Sequence, residues 1–334
     1  LGTTIVLKPE DYQVNKSFPL KVLDYFSYKR RMKRVRSEAK KADLVFSNTI
    51  ANGRLMKELS VHGKPMVVYV HELESAMEFC NRHHDTELSL QLATILFSPA
   101  GAVTRNMIQH HHVDPAVVFP LNYYFPLPEL MSLDKEKARS IFSEKYQIPP
   151  ASFHVVGMGA ANLRKGIDLF TEVCKLVISK DPGVHFTWIG GFLEEDLELK
   201  TREEIRNYGM ESNLTITGYI PHAYENLLPF DLLALTSRED PYPLVVLEAA
   251  FMNIPSIAFA GTGGMEDFIS HDAGFLLPQV SAEAMANKIL ELKEKKEWIQ
   301  SVGKKAREKA IQLHTDEKLV MEQLRSGLQA IINQ

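Results

Sequence analysis

Short apolar runs, many of them β-branched, alternate along the chain with longer stretches of helical periodicity. In the first half the pattern predicts strands at 4–7, 44–47, 65–70, 95–98 and 116–124, with helices at 18–42, 52–59, 74–92 and 102–110. The stretch 125–128, Phe-Pro-Leu-Pro, interrupts it, and proline there favours an extended linker. Alternation then resumes. Strands are predicted at 153–156, 184–189, 214–217, 232–236, 256–259 and 275–277. Helices are predicted at 135–146, 167–178, 198–208 and 244–252, and from Ala282 onward. Fully apolar strands alternating with helices predict parallel sheets covered on both faces. The predicted architecture is α/β, with two Rossmann-like domains facing across a cleft. Residues 1–128 form the first domain, 129–313 the second, and a C-terminal helix, 314–334, packs back toward the first.

Ligands of open α/β sheets bind beyond the carboxyl ends of strands, so the loops there carry the candidate chemistry. The first runs from Gly157 through Gly159 to Arg164, Lys165 and Gly166. Small residues between a strand and a helix let backbone N–H groups approach an anion, and two cations stand beside them. This is neither the dinucleotide fingerprint nor a Walker loop.

The second loop, Thr236 to Pro243, leads into an apolar helix that carries Glu248 in its second turn. A carboxylate among apolar residues is costly unless a partner uses it, and a ribose diol would. Asp240 lies just before that helix and Leu244 in its first turn. A purely structural alternative has Asp240 capping the helix and Glu248 in a salt bridge. The third loop, Gly261 to Glu266, again places glycines, Gly263 and Gly264, after a strand. There Glu266 can accept hydrogen bonds from sugar hydroxyls.

Composition narrows the class. The 38 basic and 42 acidic residues give a net charge of −4, which argues against a nucleic-acid partner. The two cysteines, Cys80 and Cys174, provide neither a disulfide framework nor a zinc site, which favours the cytoplasm. No apolar run reaches the roughly 18–20 residues of a membrane-spanning helix. Lys29, Arg30, Arg31, Lys33, Arg34, Arg36, Lys40 and Lys41 crowd one helix, interleaved with Val22, Leu23, Phe26, Met32 and Val35. It reads either as a solvated face or as a peripheral contact with an anionic membrane at the inner face of the cell. His110, His111 and His112 point in different directions on a helix and read as a C-terminal cationic cluster, not as a metal site.

Taken together, the Gly-rich loop with Arg164-Lys165-Gly166, the strand end Gly218-Tyr219-Ile220, Asp240 spaced seven residues from Glu248-Ala249, and the Gly263-Gly264 turn resemble glycosyltransferase family 4. These are retaining enzymes of the two-domain GT-B fold. The likeness is dense over 153–277 and thinner over 44–122.

The resemblance implies roles for individual residues. Glu248 binds the donor ribose, and Asp240 contacts the donor sugar. Arg164 and Lys165 hold the diphosphate, Gly263 and Gly264 bring backbone amides to the sugar or phosphate, and Tyr219 and Ile220 line the base pocket. His71, at the end of the strand Val68-Tyr69-Val70, would contact the sugar near the reaction centre, with Asn48 on the acceptor side. The implied donor is a UDP- or GDP-sugar bound without a metal. The implied acceptor is a glycan or lipid-linked glycan of a surface polysaccharide.

The chain departs from the family pattern at three places. Asp240 is one methylene shorter than the usual glutamate, Pro241-Tyr242-Pro243 replaces Gly-Phe-Gly, and the loop arginine position falls on Gly159 or Ala160. The family's opening strand and glycine-rich loop have no counterpart, so an incomplete acceptor domain is expected. The alternative function is a non-catalytic nucleotide-sugar-binding protein or an inactive fragment of such an enzyme. A sugar-nucleotide epimerase is disfavoured by the paired acids.

Overall fold

The computed structural model describes residues 18–126, 134–149, 152–270 and 272–332, with side chains in the first helix from Lys29 onward. The strand expected at 4–7 lies outside these residues, as does the end of the expected linker, 127–128. Contacts divide the chain into two units. One takes the chain up to Phe97, Val113–Phe119 and the segment from Gly327. The other takes Ser98–His112 and Pro120–Ser326.

The first unit is built on a parallel sheet. Strands β1 (Val45–Ser47), β2 (Met66–Tyr69), β3 (Ile95–Ser98) and β4 (Val118–Pro120) lie in the order β1-β2-β3-β4. The pairs β1/β2 and β2/β3 are parallel. Both β2 and β3 are buried along their whole length, as their unbroken apolar sequence requires. Around the sheet run α1 (Phe18–Lys41), α2 (Gly53–Leu59), α3 (Glu74–Asn81) and α4 (Asp85–Leu92).

Two expectations are corrected here. The single helix predicted over 74–92 is two, broken where His84 adopts φ 61°. Buried Asp85 accepts bonds from Arg54 N at 2.7 Å and Arg54 Nε at 3.1 Å, and Thr86 Oγ1 donates to Met77 O at 2.6 Å. These contacts, distant in sequence, re-aim the second half against α2. The strand expected at 116–124 shrinks to Val118–Pro120. A 3₁₀ turn, Pro115–Val117, precedes it, capped by Asp114 Oδ1 on Ala116 N, and Pro120 has no N–H to extend the ladder.

The α2–α4 crossing depends on Gly53, where a Cβ would stand 2.1 Å from Asp85 O. Gly53→Ala must separate the two helices. It is expected to cost about 1–3 kcal/mol, read as a lower midpoint in urea unfolding. An unchanged midpoint would mean that the crossing is loose.

The second unit holds the larger sheet. Its strands are β5 (Phe153–Met158), β6 (Val184–Ile189), β7 (Leu214–Ile216), β8 (Leu232–Leu235), β9 (Ser256–Phe259) and β10 (Gly274–Leu277). They lie in the order β10-β9-β8-β5-β6-β7, every pair parallel. Successive residues alternate between two cores. Val155, Leu232, Ala234 and Ile257 join one, while Val156, Leu233, Leu235 and Ala258 join the other.

The first core is closed by α7 (Ile167–Ile178) and α11 (Ala282–Lys293), the second by α9 (Leu244–Phe251) and α12 (Lys296–His314). The remaining helices are α5 (Gly101–His111), α6 (Lys135–Tyr146), α8 (Glu195–Asn207), the four-residue α10 (Glu266–Ile269), which the hydrophobic pattern did not reveal, and α13 (Glu317–Ile332). Strand order reverses between β5 and β8. Ligands of open α/β sheets sit at such a point, outside the carboxyl ends of the strands. The loops that leave β5 and β8 are those carrying Arg164-Lys165 and Asp240.

Candidate functional site

These two loops are joined directly. The Lys165 ammonium forms an ion pair with Asp240 Oδ2, and the Asp240 side chain is 7% exposed. Ser237 Oγ adds a bond to the same oxygen at 3.4 Å, a partner that sequence reasoning missed. Arg164 Nη1 donates to Glu239 O at 2.9 Å, and Arg238 N donates to Arg164 O at 2.8 Å. Arg238 forks onto Asp168 at 2.7 and 2.8 Å, which holds that carboxylate below its usual range despite the opposing effect of burial.

The glycines permit this closeness. Gly166 has φ 76°, and a Cβ there would lie 2.0 Å from Thr236 O. Gly157 leaves room for the Trp188 ring, whose Nε1 donates to Gly159 O at 3.0 Å. Gly159, at φ 144°, lies beneath the Lys165 methylenes.

The third loop closes on the second. Gly263 bridges Asp240 at φ 151°, where a Cβ would be 1.8 Å from Asp240 O. Gly264 N donates to Asp240 O at 3.1 Å, so this amide is engaged inside the protein. Glu266 Oε2 accepts from Gly261 N at 3.1 Å. In this structure the glycines at 263 and 264 serve loop-on-loop packing.

Glu248 differs from its neighbours. It is half-buried on α9 and makes no hydrogen bond or ion pair with any described residue. Burial alone pushes its carboxyl up to about 7. The structural alternative therefore fails in both parts: the residue before α9 is Pro243, with no side-chain cap, and Glu248 has no salt bridge among the described residues. Pro243 stands at the N-cap, with Leu244 beginning the helix.

The loop after β7 packs against α9, with Ile220 and Tyr224 on the core beside it. The Tyr224 phenol is pushed up by burial first and then by Glu225 and Glu248, which places this ring near the free carboxylate. Tyr224 was not anticipated. Its signal was an aromatic residue in the loop that follows Gly218-Tyr219-Ile220. Tyr219 is 83% exposed and Leu244 38% exposed, both presented to solvent.

Tyr242 is a further unanticipated member. Its hydroxyl lies 2.8 Å from Nε2 of His314, whose Nδ1 lies 2.9 Å from Tyr123 O. A carbonyl only accepts, so Nδ1 carries the proton and Nε2 receives the tyrosine O–H. This buried link fixes the loop between Asp240 and α9.

In the first unit the structure brings together the two other candidates. His71 Nε2 donates to Asn48 Oδ1 at 3.0 Å, and the ring lies 4.1 Å from that of Tyr69. Burial lowers the His71 imidazole, opposed by Glu72. Glu72 itself ties the two strand ends, accepting from Thr49 Oγ1 and from His71 N at 2.8 Å. Among the described residues no cluster of three or more His, Cys, Asp or Glu is placed to hold a metal ion, the 110–112 histidines included. No described helix is long and apolar enough to cross a membrane.

A model of the glycosyl transferases group 1 matches residues 138–309, just over half of the chain. A poly(ribitol-phosphate) alpha-N-acetylglucosaminyltransferase of Staphylococcus aureus is 32% identical over 157 residues, 47% of this chain and 31% of that protein. An N-acetyl-alpha-D-glucosaminyl L-malate synthase of Bacillus anthracis is 28% identical over 117 residues, 35% of this chain and 30% of that protein. The matched region thus spans about a third of these curated relatives. The crystal structure of Anabaena HepE with UDP and glucose superposes with a TM-score of 0.79 at 19% identity, covering 90% of this chain and 81% of that one. The two parallel-sheet, Rossmann-like units are of the GT-B type that HepE shares.

Proposed function

This chain belongs to the glycosyl transferases group 1, and from that membership we propose that it transfers a sugar from a nucleoside-diphosphate donor to a glycan acceptor. The observation that carries the reading is Glu248, an unpaired, half-buried carboxylate on the helix that follows β8. A vicinal ribose diol supplies the two hydroxyl donors it lacks. UDP in the HepE crystal supports a uridine donor over a guanosine one. The name of the Staphylococcus relative supports an acceptor of the surface-polymer kind.

In the proposed reaction the bond from the anomeric carbon to the β-phosphate oxygen breaks. Lys165 and Arg164 stabilise the charge gathering on the diphosphate, with no resident metal. The acceptor oxygen bonds to the same face of that carbon, retaining configuration, and its proton goes to the departing phosphate. Asp240, freed from Lys165 as the phosphate arrives, accepts bonds from the sugar hydroxyls. Gly157, Gly159, Gly263 and Gly264 shape the loops around it. Tyr219, Ile220 and Leu244 face the base, and Glu266 the sugar. The assignment to family 4, the sugar contact of His71 and the acceptor-side role of Asn48 rest on resemblance. Peripheral membrane attachment through the basic face of α1 belongs to the same proposal, supported by Lys29, Arg30, Lys33 and Arg34.

UDP-glucose affinity tests the reading through its pH dependence. The Glu248 carboxyl titrates near 7 in the free protein, and only its ionised form accepts both diol hydrogens. Affinity should rise with pH up to about 7.5 and level off above, falling about tenfold per unit on the acid side. The diphosphate diester of a nucleotide sugar carries no proton in this range, so the slope reports the protein. Glu248→Gln should flatten the profile. A profile that stays steep in that variant would assign the titration elsewhere. A wild-type protein that binds donor yet neither transfers nor hydrolyses it would be a binding protein instead.

A further inference from the structure

We propose that a cavity of about 520 Å³ is the subsite for an uncharged sugar ring of the acceptor. This inference rests on the donor reading above. The cavity is lined by α5 and the residues before it, by α10, and by the chain at 120–122 and 313–314, all within the second unit. Its size falls within the roughly 300–1,000 Å³ of small-molecule sites.

Two walls are shared with the donor loops. Gly264 lines the cavity, as does Tyr242. A Cβ on Gly264 would lie 2.7 Å from the Ala100 Cβ, so the donor loop touches the residue that opens α5. A group held here is therefore one loop thickness from Asp240.

The polar groups define the occupant. A Cβ built on Gly101 would lie 2.9 Å from Asp267 Oδ2 and 3.2 Å from Arg105 Nη1. The carboxylate and the guanidinium thus flank one gap, yet neither side chain makes a hydrogen bond or ion pair with a described residue. One group only accepts and the other only donates. A phosphate would meet the charge of Asp267, and an ammonium that of Arg105. A hydroxyl both donates and accepts, so neighbouring hydroxyls of a neutral ring satisfy both at once. The rings of Tyr242 and Phe268 provide flat apolar walls for its C–H face. Removing a hydrogen bond to a charged group weakens binding by about tenfold or more, which sets the expected effect.

Saturation-transfer NMR on the full chain, with UDP present, tests this. The uncharged probes are glucose and N-acetylglucosamine, and the anionic probe is glucose 1-phosphate. The variants are Asp267→Asn, Arg105→Ala and Gly101→Ala, the last placing a methyl group in the gap. UDP affinity measured on the same samples shows that each variant is folded and that the donor site is intact. The expected result is binding of a neutral probe to the wild type, weakened about tenfold in all three variants, with UDP affinity held within twofold. Neutral-probe binding unchanged in Asp267→Asn and Gly101→Ala would overturn the proposal. So would the absence of any neutral-probe binding, or a preference for glucose 1-phosphate. Failure of the wild type to bind UDP would overturn the donor reading alone, because saccharide binding is read separately.

Discussion

Replacing Glu248 with glutamine is expected to give a protein that resists unfolding better and holds its donor far worse. The carboxyl titrates near 7 in the folded chain against an ordinary value of 4.5, with burial as the cause. The folded state therefore binds more protons than the unfolded state between these values, and stability falls as pH rises through the interval. At about 1.36 kcal/mol per unit, this carboxyl costs the free protein about 3 kcal/mol above pH 8, where it is buried ionised, and about 1 kcal/mol at pH 5, where folding must take up the proton the unfolded chain has lost. Glutamine removes that cost. Thermal melts of the free protein should show Glu248→Gln more stable at pH 8, with the advantage shrinking toward pH 5. In calorimetry, UDP-glucose affinity at pH 8 should fall about a hundredfold, the loss of charge-assisted bonds to a diol. On the donor reading, the natural residue is unfavourable for folding and useful once ligand is bound, as expected at a functional site. Equal melting of the two proteins at pH 8, or unchanged affinity, would refute this account of α9.

Lys165→Met carries the second large effect. Methionine keeps the stem that lies over Gly159 and removes the ammonium. Asp240 is then a buried carboxylate without its cation, a change that costs about 3–5 kcal/mol when a buried pair is broken from one side. On the proposed mechanism turnover should fall about 10²–10³-fold, because charge developing on the leaving diphosphate loses a stabilising cation. The double variant Lys165→Met/Asp240→Asn separates the two losses. It should regain most of the stability and none of the turnover. A single variant that keeps a third of wild-type kcat would mean that the lysine only serves the fold.

Much of this architecture is written in local pattern. Strands such as Val184–Ile189 and helices such as Ile167–Ile178 match their predicted bounds, since each follows from unbroken or 3.6-periodic apolar positions. Glu248 is legible for the same reason, as a charge on an otherwise apolar helix. What escaped depends on partners far along the chain. The break at His84 answers to Arg54, and the Tyr242 hydroxyl answers to His314, 72 residues on. The Lys165–Asp240 pair spans 75 residues. The sequence shows two charges of opposite sign in loops, and only the strand order makes them meet. Gly263 and Gly264 were visible as glycines, but the need for them lies in the carbonyls of Asp240 and Pro241 pressed against them.

That pairing also bears on how a ligand arrives. An ammonium already matched to a carboxylate casts little field beyond its own contact, and a net charge of −4 adds no attraction for an anion. Lys165 therefore adds little to long-range steering, which raises association rates and fades with salt, and Arg164, which meets a backbone carbonyl at Glu239 rather than a carboxylate, carries what there is. On the donor reading, selection takes place after the encounter, when phosphate oxygens compete with Asp240 for the Lys165 ammonium. Discrimination between ligands then lies in how long each one stays.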